Sequence, residues 1–199
     1  MVLELAELRG VESGSARFLE EGLLRTARPG TGLGGAKGGR RTMNIICFHN
    51  PNEENGYLSN WCPSPFKVVN VEFSSMEQFM MYRKAGFFCD EVIAKKILST
   101  DDVAETKALG REVSNYDEHV WNGVRQIVVY EGLLAKFSQN RDLKERLKDT
   151  GGAVLAECAV KDLIWGTGLS MNDPNRFDMS KWRGQNLLGY TLMMVRERL

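Results

Sequence analysis

The chain has 199 residues, of which 43% are hydrophobic, so it is long enough to bury a core and suits one domain with an extension. Lysine plus arginine and aspartate plus glutamate both number 26, and this balance excludes a global basic field that would attract nucleic acid. With two histidines and four cysteines that lack C-x2-C spacing, the composition excludes a histidine-rich metal centre and implies neither a metal nor an organic cofactor.

The first 42 residues differ in composition from the rest of the chain. They hold 9 of the 20 glycines and a single aromatic residue, Phe18. Glycine loses most conformational entropy on ordering, so we expect the glycine-rich stretch Gly30–Gly39 to stay flexible. Leu3–Leu24 could form a weak helix. We therefore predict that residues 1–42 are a disordered or non-native extension and that residues 43–199 form the folded domain.

From residue 43 onward the pattern predicts an α+β fold that is richer in helix than in strand. Ile45–Phe48 is typical of a short buried strand, and residues 66–69 and 71–73 predict a hairpin around Asn70. The first helix of this domain is expected to begin at Ser74, and Asn186 is a plausible N-cap for the last one. Further helices are predicted at about 90–98, 102–109, 117–137, 141–148 and 186–197.

Glu77 has two interpretations. It lies three residues after Ser74, and Ser-x-x-Glu before an apolar run is a capping box, in which the two side chains close the helix start. The functional alternative uses the same geometry, because a carboxylate in the first turn of a helix points toward the mouth of the fold. Both interpretations can hold if the carboxylate shares its hydrogen bonds.

Lys84 lies seven residues after Glu77, which is nearly two helical turns. Both side chains should therefore share one helix face, about 10 Å apart. Apolar neighbours could lower the pKa of Lys84 and make a neutral amine available. The alternative is an ordinary surface lysine on an amphipathic helix.

Asp162 precedes the segment Trp165-Gly166-Thr167-Gly168. The two glycines suggest a tight loop in which the backbone approaches a ligand, and Trp165 offers a flat face for stacking a heterocycle. In the alternative interpretation, Trp165 fills the core while Asp162 caps the loop.

Three further polar residues could contact a ligand. The guanidinium of Arg111 or Arg125 could clamp a phosphate, although a solvated helix face explains Arg125 better than Arg111. Asn60 can offer both a donor and an acceptor to a sugar or base edge, or it can serve as a turn residue.

The cysteines and the hydropathy pattern predict where the protein resides. Free thiols are expected in a reducing compartment, so we predict a cytoplasmic protein. No apolar run approaches the length that a membrane-spanning helix needs, so no membrane partner is expected.

Taken in order, these segments resemble the NADAR family of YbiA-like N-glycosidases, and the resemblance extends from about residue 43 to residue 199. Each piece is unspecific alone, whereas the ordered set is specific. The matching segments are Leu58–Trp61, Ser75–Phe79 with Lys84, Leu109–Arg111, Trp121, Ala135–Phe137, Glu157, Asp162, Trp165–Gly168, and Trp182–Gly189 running into Leu192 and Met193.

The resemblance implies a single α+β domain and an enzyme that cleaves the bond between a ribose and a base-like amine. One branch of the family hydrolyses phosphorylated ribosylamino-pyrimidines of riboflavin synthesis, and another removes ADP-ribose from guanine bases of nucleic acid. It implies that Glu77, Lys84 and Asp162 are catalytic, with Lys84 as the nucleophilic amine of the ADP-ribose branch. The expected substrate-binding residues are Asn60, Arg111, Trp121, Trp165, Gly166, Gly168 and Asn186.

Two chemical routes and three functions stay open at this point. Glu77 could stabilise the positive charge that develops on the sugar, with Asp162 as second acid, or Lys84 could capture an opened ribose as a Schiff base. A nucleic-acid substrate would need a basic lane at the pocket mouth. A non-catalytic ADP-ribose-binding module is the third possibility. The candidates for the basic lane are Lys95, Lys96, Lys107 and Arg111.

Overall fold

A computed structural model describes residues 44–199, and the predictions for residues 1–42 lie outside these described residues. The described part confirms the expected α+β class, with six α-helices and four short strands. Every helix predicted beyond residue 43 is present, with ends that differ by a few residues. The helices are α1 (Met76–Phe87), α2 (Glu91–Leu98), α3 (Val103–Arg111), α4 (Glu118–Gln139), α5 (Arg141–Asp149) and α6 (Leu187–Arg198).

The strands form two separate pairs. The predicted hairpin is confirmed, because β2 and β3 pair antiparallel, with Val69 in the left-handed region (φ 54°) at the turn. β1 and β4 pair in parallel, with Phe48 opposite Glu157. The strands are β1 (Ile45–Phe48), β2 (Pro63–Val68), β3 (Val71–Ser75) and β4 (Val154–Glu157).

Helix α1 lies at the centre of the described domain. It packs against α2, α3 and α4, and its Phe79 is fully buried. The Phe79 ring meets Phe73 edge-on, with centroids 5.1 Å apart, and Phe66 completes the cluster at 5.8 Å from each of them. Edge-to-face aromatic pairs add stabilisation beyond the area that they bury. This cluster anchors the hairpin to α1 and thereby fixes where α1 begins.

A glycine sets the distance between α1 and α4. A Cβ on Gly132 of α4 would collide with the Phe79 ring and with the end of Met76. Only glycine lets the two helices approach this closely without displacing the aromatic cluster.

Helix α4 also carries a lysine that is sealed inside the protein. The Lys136 side chain is fully buried, and its ammonium donates to the Tyr57 carbonyl at 2.8 Å. The ammonium also lies 5.2 Å from the centroid of the Phe137 ring. Burial lowers the pKa of Lys136 to about 8. This lysine ties α4 to the short 3-10 helix at Gly56–Leu58.

The segment before α6 is hydrogen-bonded along its backbone to the loop that follows β4. Six backbone N–H groups of residues 183–188 donate to carbonyls of residues 163–167. The two chains run so close that a Cβ on Gly184 would collide with the Gly166 carbonyl. These bonds hold the end of β4, the loop and the start of α6 together as one unit.

Within residues 44–199, no helix combines the length and the apolar character needed to cross a membrane.

Candidate active site

The start of α1 differs by one residue from the predicted capping box. Ser75, not Ser74, is the N-cap, and its hydroxyl accepts from the Gln78 N–H at 3.2 Å. The Gln78 side chain reaches back and accepts from the Ser74 N–H at 2.7 Å. The box is therefore Ser75-x-x-Gln78, and the proposed Ser74–Glu77 cap is wrong. Glu77 has no capping duty.

Glu77 is buried at the first turn of α1, with 3% of its surface exposed. Its backbone N–H donates to the Asn60 carbonyl at 3.0 Å, and its carboxylate accepts a hydrogen bond from the Trp61 side chain. Burial raises the pKa of Glu77 to about 7; Asp162 adds to the rise, whereas Lys107 and the Trp61 bond oppose it. A carboxyl that titrates near neutrality suits acid–base chemistry.

A second carboxyl of the site belongs to Glu157, the half-buried last residue of β4. Burial raises its pKa to about 8, and the neighbouring charges of Asp162 and Glu77 raise it further, against Lys107. Its Oε2 atom is buried and has no hydrogen-bond partner within residues 44–199. The charge of Asp162 raises the pKa of both Glu77 and Glu157, so these three carboxyl groups lie in one cluster.

Asp162 has a structural contact as well as a place in this cluster. Its Oδ1 accepts from the backbone N–H groups of Ile164 at 3.0 Å and Trp165 at 2.8 Å. The loop-capping interpretation is therefore present in the structure, together with an electrostatic influence on Glu77 and Glu157.

Trp165 is half-buried and packs against the hydrophobic core. Its backbone N–H is one of the two that Asp162 caps. The core-filling interpretation is therefore present for part of the indole, and stacking of a heterocycle on the exposed part stays a prediction.

The glycines of the Trp165–Gly168 loop are explained by protein contacts. A Cβ on Gly166 would lie 2.9 Å from the Glu157 carbonyl oxygen, and Gly168 has a φ of 73°. The predicted close approach of the backbone is real, but it is made to β4 and to the segment before α6. A ligand is not needed to account for these glycines.

Two cations face the carboxyl cluster from α3. Lys107 and Arg111 lie one turn apart, and both act electrostatically on Glu77. The Lys107 ammonium lies 5.3 Å from the centroid of the Trp61 ring, which is 36% exposed. Arg111 is exposed. The site therefore combines an acidic interior with a basic edge.

Lys84 lies apart from the carboxyl cluster. Its ammonium donates to the Gly110 carbonyl at 2.7 Å and lies 4.1 Å from the centroid of the Tyr116 ring. Burial lowers the pKa of Lys84. The direction agrees with the predicted availability of a neutral amine, while the contacts place this amine at the far end of α1 from Glu77.

The remaining predicted residues divide between the site and the core. Asn60 is buried beside Glu77, and its Oδ1 has no hydrogen-bond partner in the part of the chain that the structure describes. Trp121 is 6% exposed and packs edge-on against Phe87, so the structure places it in the core. The solvated-face interpretation of Arg125 is wrong, because this side chain is buried and donates to Asn122 at 2.6 Å.

Asn186 requires a correction. It occupies the N-cap position of α6 in the left-handed conformation (φ 52°), but its side chain makes no capping bond. Instead, its Oδ1 accepts from the Glu157 N–H at 3.0 Å, and its Nδ2 donates to the Leu155 carbonyl at 2.8 Å. A fully buried amide with both ends bonded cannot contact a substrate, so Asn186 fixes the end of β4.

Three residues of the site were not among the predicted catalytic and substrate-binding residues. Glu157 and Trp61 stood only in the segments that match the family, and Lys107 only among the candidates for the basic lane; all three join the site in the structure. An acid that ends a short apolar run was the available signal for Glu157, and Trp61 stood directly beside Asn60 in the sequence. Among residues 44–199, no group of histidine, cysteine, aspartate or glutamate side chains is arranged to hold a metal ion.

Comparisons with known proteins agree with this fold and site. The family described as NADAR domain matches residues 47–199. N-glycosidase R617 of Acanthamoeba polyphaga mimivirus is 38% identical over 164 residues, which cover 78% of this chain and 96% of that protein. Riboflavin biosynthesis protein VVA0006 of Vibrio vulnificus is 33% identical over 154 residues, which cover 77% of this chain and 38% of that protein.

A solved structure shares the fold. The NMR structure of Escherichia coli YbiA superposes with a TM-score of 0.65 and 28% identity, covering 80% of this chain and 89% of that one. The curated sequence of that protein, N-glycosidase YbiA, is 30% identical over 155 residues, covering 78% of this chain and 88% of that protein. The resemblance and the fold class predicted from the sequence are confirmed.

Proposed function

This chain belongs to the NADAR family and is an N-glycosidase, and from that premise we propose that it hydrolyses the ribosyl C–N bond of ribosylamino-pyrimidine 5′-phosphates, intermediates of riboflavin synthesis. The observation that carries the proposal is the buried carboxyl cluster facing the two cations of α3. The name of the Vibrio vulnificus relative, a riboflavin biosynthesis protein, supports the choice of substrate.

The acidic interior suits the bond that breaks. Cleavage of a ribosyl C–N bond builds positive charge on the sugar, as glycoside hydrolysis does. The Glu77 carboxylate can stabilise this charge or activate water, because the Trp61 hydrogen bond and Lys107 favour its ionised form. Asp162 positions the loop that carries Trp165 and adds negative potential.

The basic edge suits a phosphate. Lys107 and Arg111 occupy one face of α3, and their charges reach the same carboxylate from outside. Charged hydrogen bonds from lysine and arginine are the strong contacts that phosphate groups prefer. The 5′-phosphate would then lie against α3, with the ribose over Glu77.

We expect the two indoles to flank a stacked pyrimidine. Trp61 and Trp165 both keep part of their surface exposed, and Trp61 hydrogen-bonds the Glu77 carboxylate. The unpartnered Oδ1 of Asn60 is an acceptor for a sugar hydroxyl or a base N–H. These contacts would orient the substrate, and Trp121, Gly166, Gly168 and Asn186 would support the site from behind.

Removal of ADP-ribose from guanine bases is the second candidate. The half-buried Lys84 favours it, because burial lowers its pKa as a Schiff-base amine requires. The exposed Lys95 and Lys96 of α2, with Lys107 and Arg111, could form the basic lane for nucleic acid. The same bond type is cleaved in both cases, so only the substrate and the role of Lys84 differ.

One assay panel separates the candidates. The purified protein is offered a ribosylamino-pyrimidine 5′-phosphate and ADP-ribosylated single-stranded DNA, and released sugar is quantified by mass spectrometry. We expect turnover of the pyrimidine, reduced about 10²–10⁴-fold in Glu77→Gln, which keeps its fold. Release of ADP-ribose alone would contradict the proposed substrate. Full activity in Glu77→Gln would contradict the proposed role of the carboxylate.

The phosphate contact has its own test. Lys107→Ala and Arg111→Ala should raise KM for the phosphorylated substrate and leave kcat largely unchanged, because the phosphate is remote from the reacting bond. Lys95→Ala, on the exposed face of α2, is the matched control and should change neither constant. Equal KM values in all three variants would contradict the proposed contact between the phosphate and α3.

Borohydride decides whether Lys84 reacts covalently. Because its ammonium is bonded to the Gly110 carbonyl, away from the carboxyl cluster, we expect no trapped adduct and continued turnover in Lys84→Ala. A stable adduct on Lys84, together with loss of activity in Lys84→Ala, would favour the Schiff-base route and the ADP-ribose candidate.

Three cysteines support a cytoplasmic location for this reaction. Cys47, Cys62 and Cys158 are free thiols, as expected for a protein of a reducing compartment.

A further inference from the structure

We propose that Glu157 is the general acid of this N-glycosidase: it protonates the departing nitrogen of the base while Glu77 supplies the negative charge opposite the ribose. The inference deepens the proposed function and rests on it. It assigns the chemistry to a residue at the end of β4 and gives Glu77 and Glu157 different tasks.

The first observation is an orphaned atom. Glu157 Oε2 is buried and has no hydrogen-bond partner among the described residues. A buried ionised carboxylate without a donor is costly, whereas a neutral carboxyl can offer its own proton to a ligand. A substrate nitrogen could therefore be the missing hydrogen-bond partner of this oxygen, with the neutral carboxyl as the donor.

The second observation is that the backbone of Glu157 is braced on both sides. Its N–H donates to Asn186, and its carbonyl accepts from Thr167 at 2.8 Å. Gly166 packs directly over this carbonyl. None of these bonds uses the side chain, so the fold aims the carboxyl group without occupying it. Positioning of this kind is what an acid catalyst requires.

The third observation is the contrast between the two glutamates. Burial is the largest cause that raises the pKa of both groups, to about 7 for Glu77 and about 8 for Glu157. At Glu77, the Trp61 hydrogen bond, Lys107 and Arg111 favour the ionised form against the charge of Asp162. At Glu157, the carboxylates of Asp162 and Glu77 favour the neutral form against Lys107. When two neighbouring carboxyl groups share one proton, the proton lies on the group whose ionised form is less stabilised by its surroundings. Here that group is Glu157.

Asp162 is the competing acid, and its contacts argue against it. Its Oδ1 already accepts two backbone N–H bonds from the loop that it caps. This oxygen is therefore occupied in holding the loop, whereas Glu157 Oε2 has no such bond among the described residues. Asp162 is better placed as the charge that keeps Glu157 protonated.

The step balances without a further reactant. The C1′–N bond breaks, its electron pair stays on nitrogen, and this nitrogen takes the Glu157 proton. The positive charge left on the ribose faces the Glu77 carboxylate. Water then forms the new C1′–O bond and gives its proton to Glu77. Proton exchange with solvent returns both acids to their starting states.

A pair of substrates tests the assignment. Glu157→Gln should lose about 10²–10⁴-fold in kcat on the ribosylamino-pyrimidine phosphate, whose nitrogen must be protonated to leave. The same variant should stay within about 10-fold of wild type on p-nitrophenyl ribofuranoside 5-phosphate, whose nitrophenolate leaves unprotonated. Glu77→Gln is the matched control and should lose activity on both. Equal losses on both substrates in Glu157→Gln, or no loss on either, would overturn the proposal.

A pH profile provides a second measurement with the same variants. In the wild type, kcat/KM should fall above about pH 8, where Glu157 loses its proton, and this fall should disappear in Glu157→Gln. Persistence of the alkaline fall in the variant would overturn the assignment. If the wild type cleaves only ADP-ribosylated guanine, the proposed substrate fails, and the same variants on that substrate still decide the role of Glu157.

Discussion

The carboxyl cluster and Lys136 are two regions where this protein buries ionisable groups, and their surroundings differ in kind. Glu77 and Glu157 both feel the charges of Asp162 and Lys107, and Glu77 also contacts a partly exposed indole. Within the described residues, one oxygen of Glu157 has no hydrogen-bond partner. Lys136 is fully buried, donates to the Tyr57 carbonyl and lies beside an aromatic ring. Burial favours the neutral form of each group: it raises the pKa of Glu77 and Glu157 and lowers the pKa of Lys136.

The difference shows that a perturbed pKa alone does not identify a functional residue. Structural and catalytic groups both shift when they are desolvated. In this protein the distinguishing features are unsatisfied atoms, partly exposed neighbours and mixed charges, all of which belong to the carboxyl cluster. Lys136 has a dedicated acceptor and no exposed surface, so it serves the packing of α4.

The largest effect is expected from truncating Lys136. Lys136→Ala should lower the free energy of unfolding by about 3–5 kcal/mol, because it leaves a cavity and an unpaired Tyr57 carbonyl. Lys136→Met keeps the volume and removes a buried ammonium, so its cost should stay below about 2 kcal/mol. Urea denaturation measures both. A folded Lys136→Met protein without glycosidase activity would show that Lys136 belongs to the catalytic site.

The pH dependence of stability should separate the two regions. Between about pH 4.5 and 8 the unfolded Glu157 is ionised while the folded one keeps its proton, so stability falls as the pH rises. Between about pH 8 and 10.5 the unfolded Lys136 is charged while the folded one is neutral, so stability rises with pH. Each group should change the free energy of unfolding by about 3–5 kcal/mol across its window.

Two variants assign these windows. Compared with wild type, Glu157→Gln should lose its part of the fall on the acid side, and Lys136→Met should lose its part of the rise on the alkaline side. Denaturation at a series of pH values measures both. A variant that alters the other residue's window would show that the two regions are electrostatically linked.

The brace on β4 should have a moderate effect. Asn186→Gly keeps the left-handed backbone but loses both bonds to β4, which should cost about 2 kcal/mol. Asn186→Ala should cost about 1–2 kcal/mol more, because alanine disfavours a φ of 52°. Both variants should lower kcat at saturating substrate by loosening Glu157. Unchanged kcat in stable Asn186→Gly protein would separate this brace from catalysis.

The smallest effect is expected at the start of α1. Ser75→Ala removes the N-cap and should cost about 1 kcal/mol in thermal or chemical unfolding. Ser74→Ala is the matched control and should cost less, because its hydroxyl does not cap the helix. The reverse order would restore the earlier capping box and would return Glu77 to a capping role.

Local signals in the sequence were sufficient for most of the fold. Periodic apolar residues marked the helices, and the turn at Asn70 marked the hairpin. The ordered motifs identified the family and brought Glu77 and Asp162 into the predicted site. Short-range patterns succeed where the hydrogen bonds that they predict join near neighbours in the chain.

The features that sequence analysis missed depend on long-range contacts. Strand β4 exists because it pairs with β1 more than a hundred residues earlier, and Glu157 enters the site only through that pairing. Asn186 looked like an N-cap, yet its amide bonds to β4. Arg125 looked solvated because its burial depends on packing between helices. None of these contacts leaves a periodic trace in the sequence.

The six backbone bonds between residues 163–167 and 183–188 do not depend on the exposed peptide between them. A protease that cuts within residues 172–180 would therefore leave residues 163–167 and 183–188 hydrogen-bonded to each other. The C-terminal fragment would stay bound to the rest of the protein non-covalently, through the buried face of α6. Supplying that fragment separately would turn the enzyme into a two-piece system, assembled on demand by adding a short peptide.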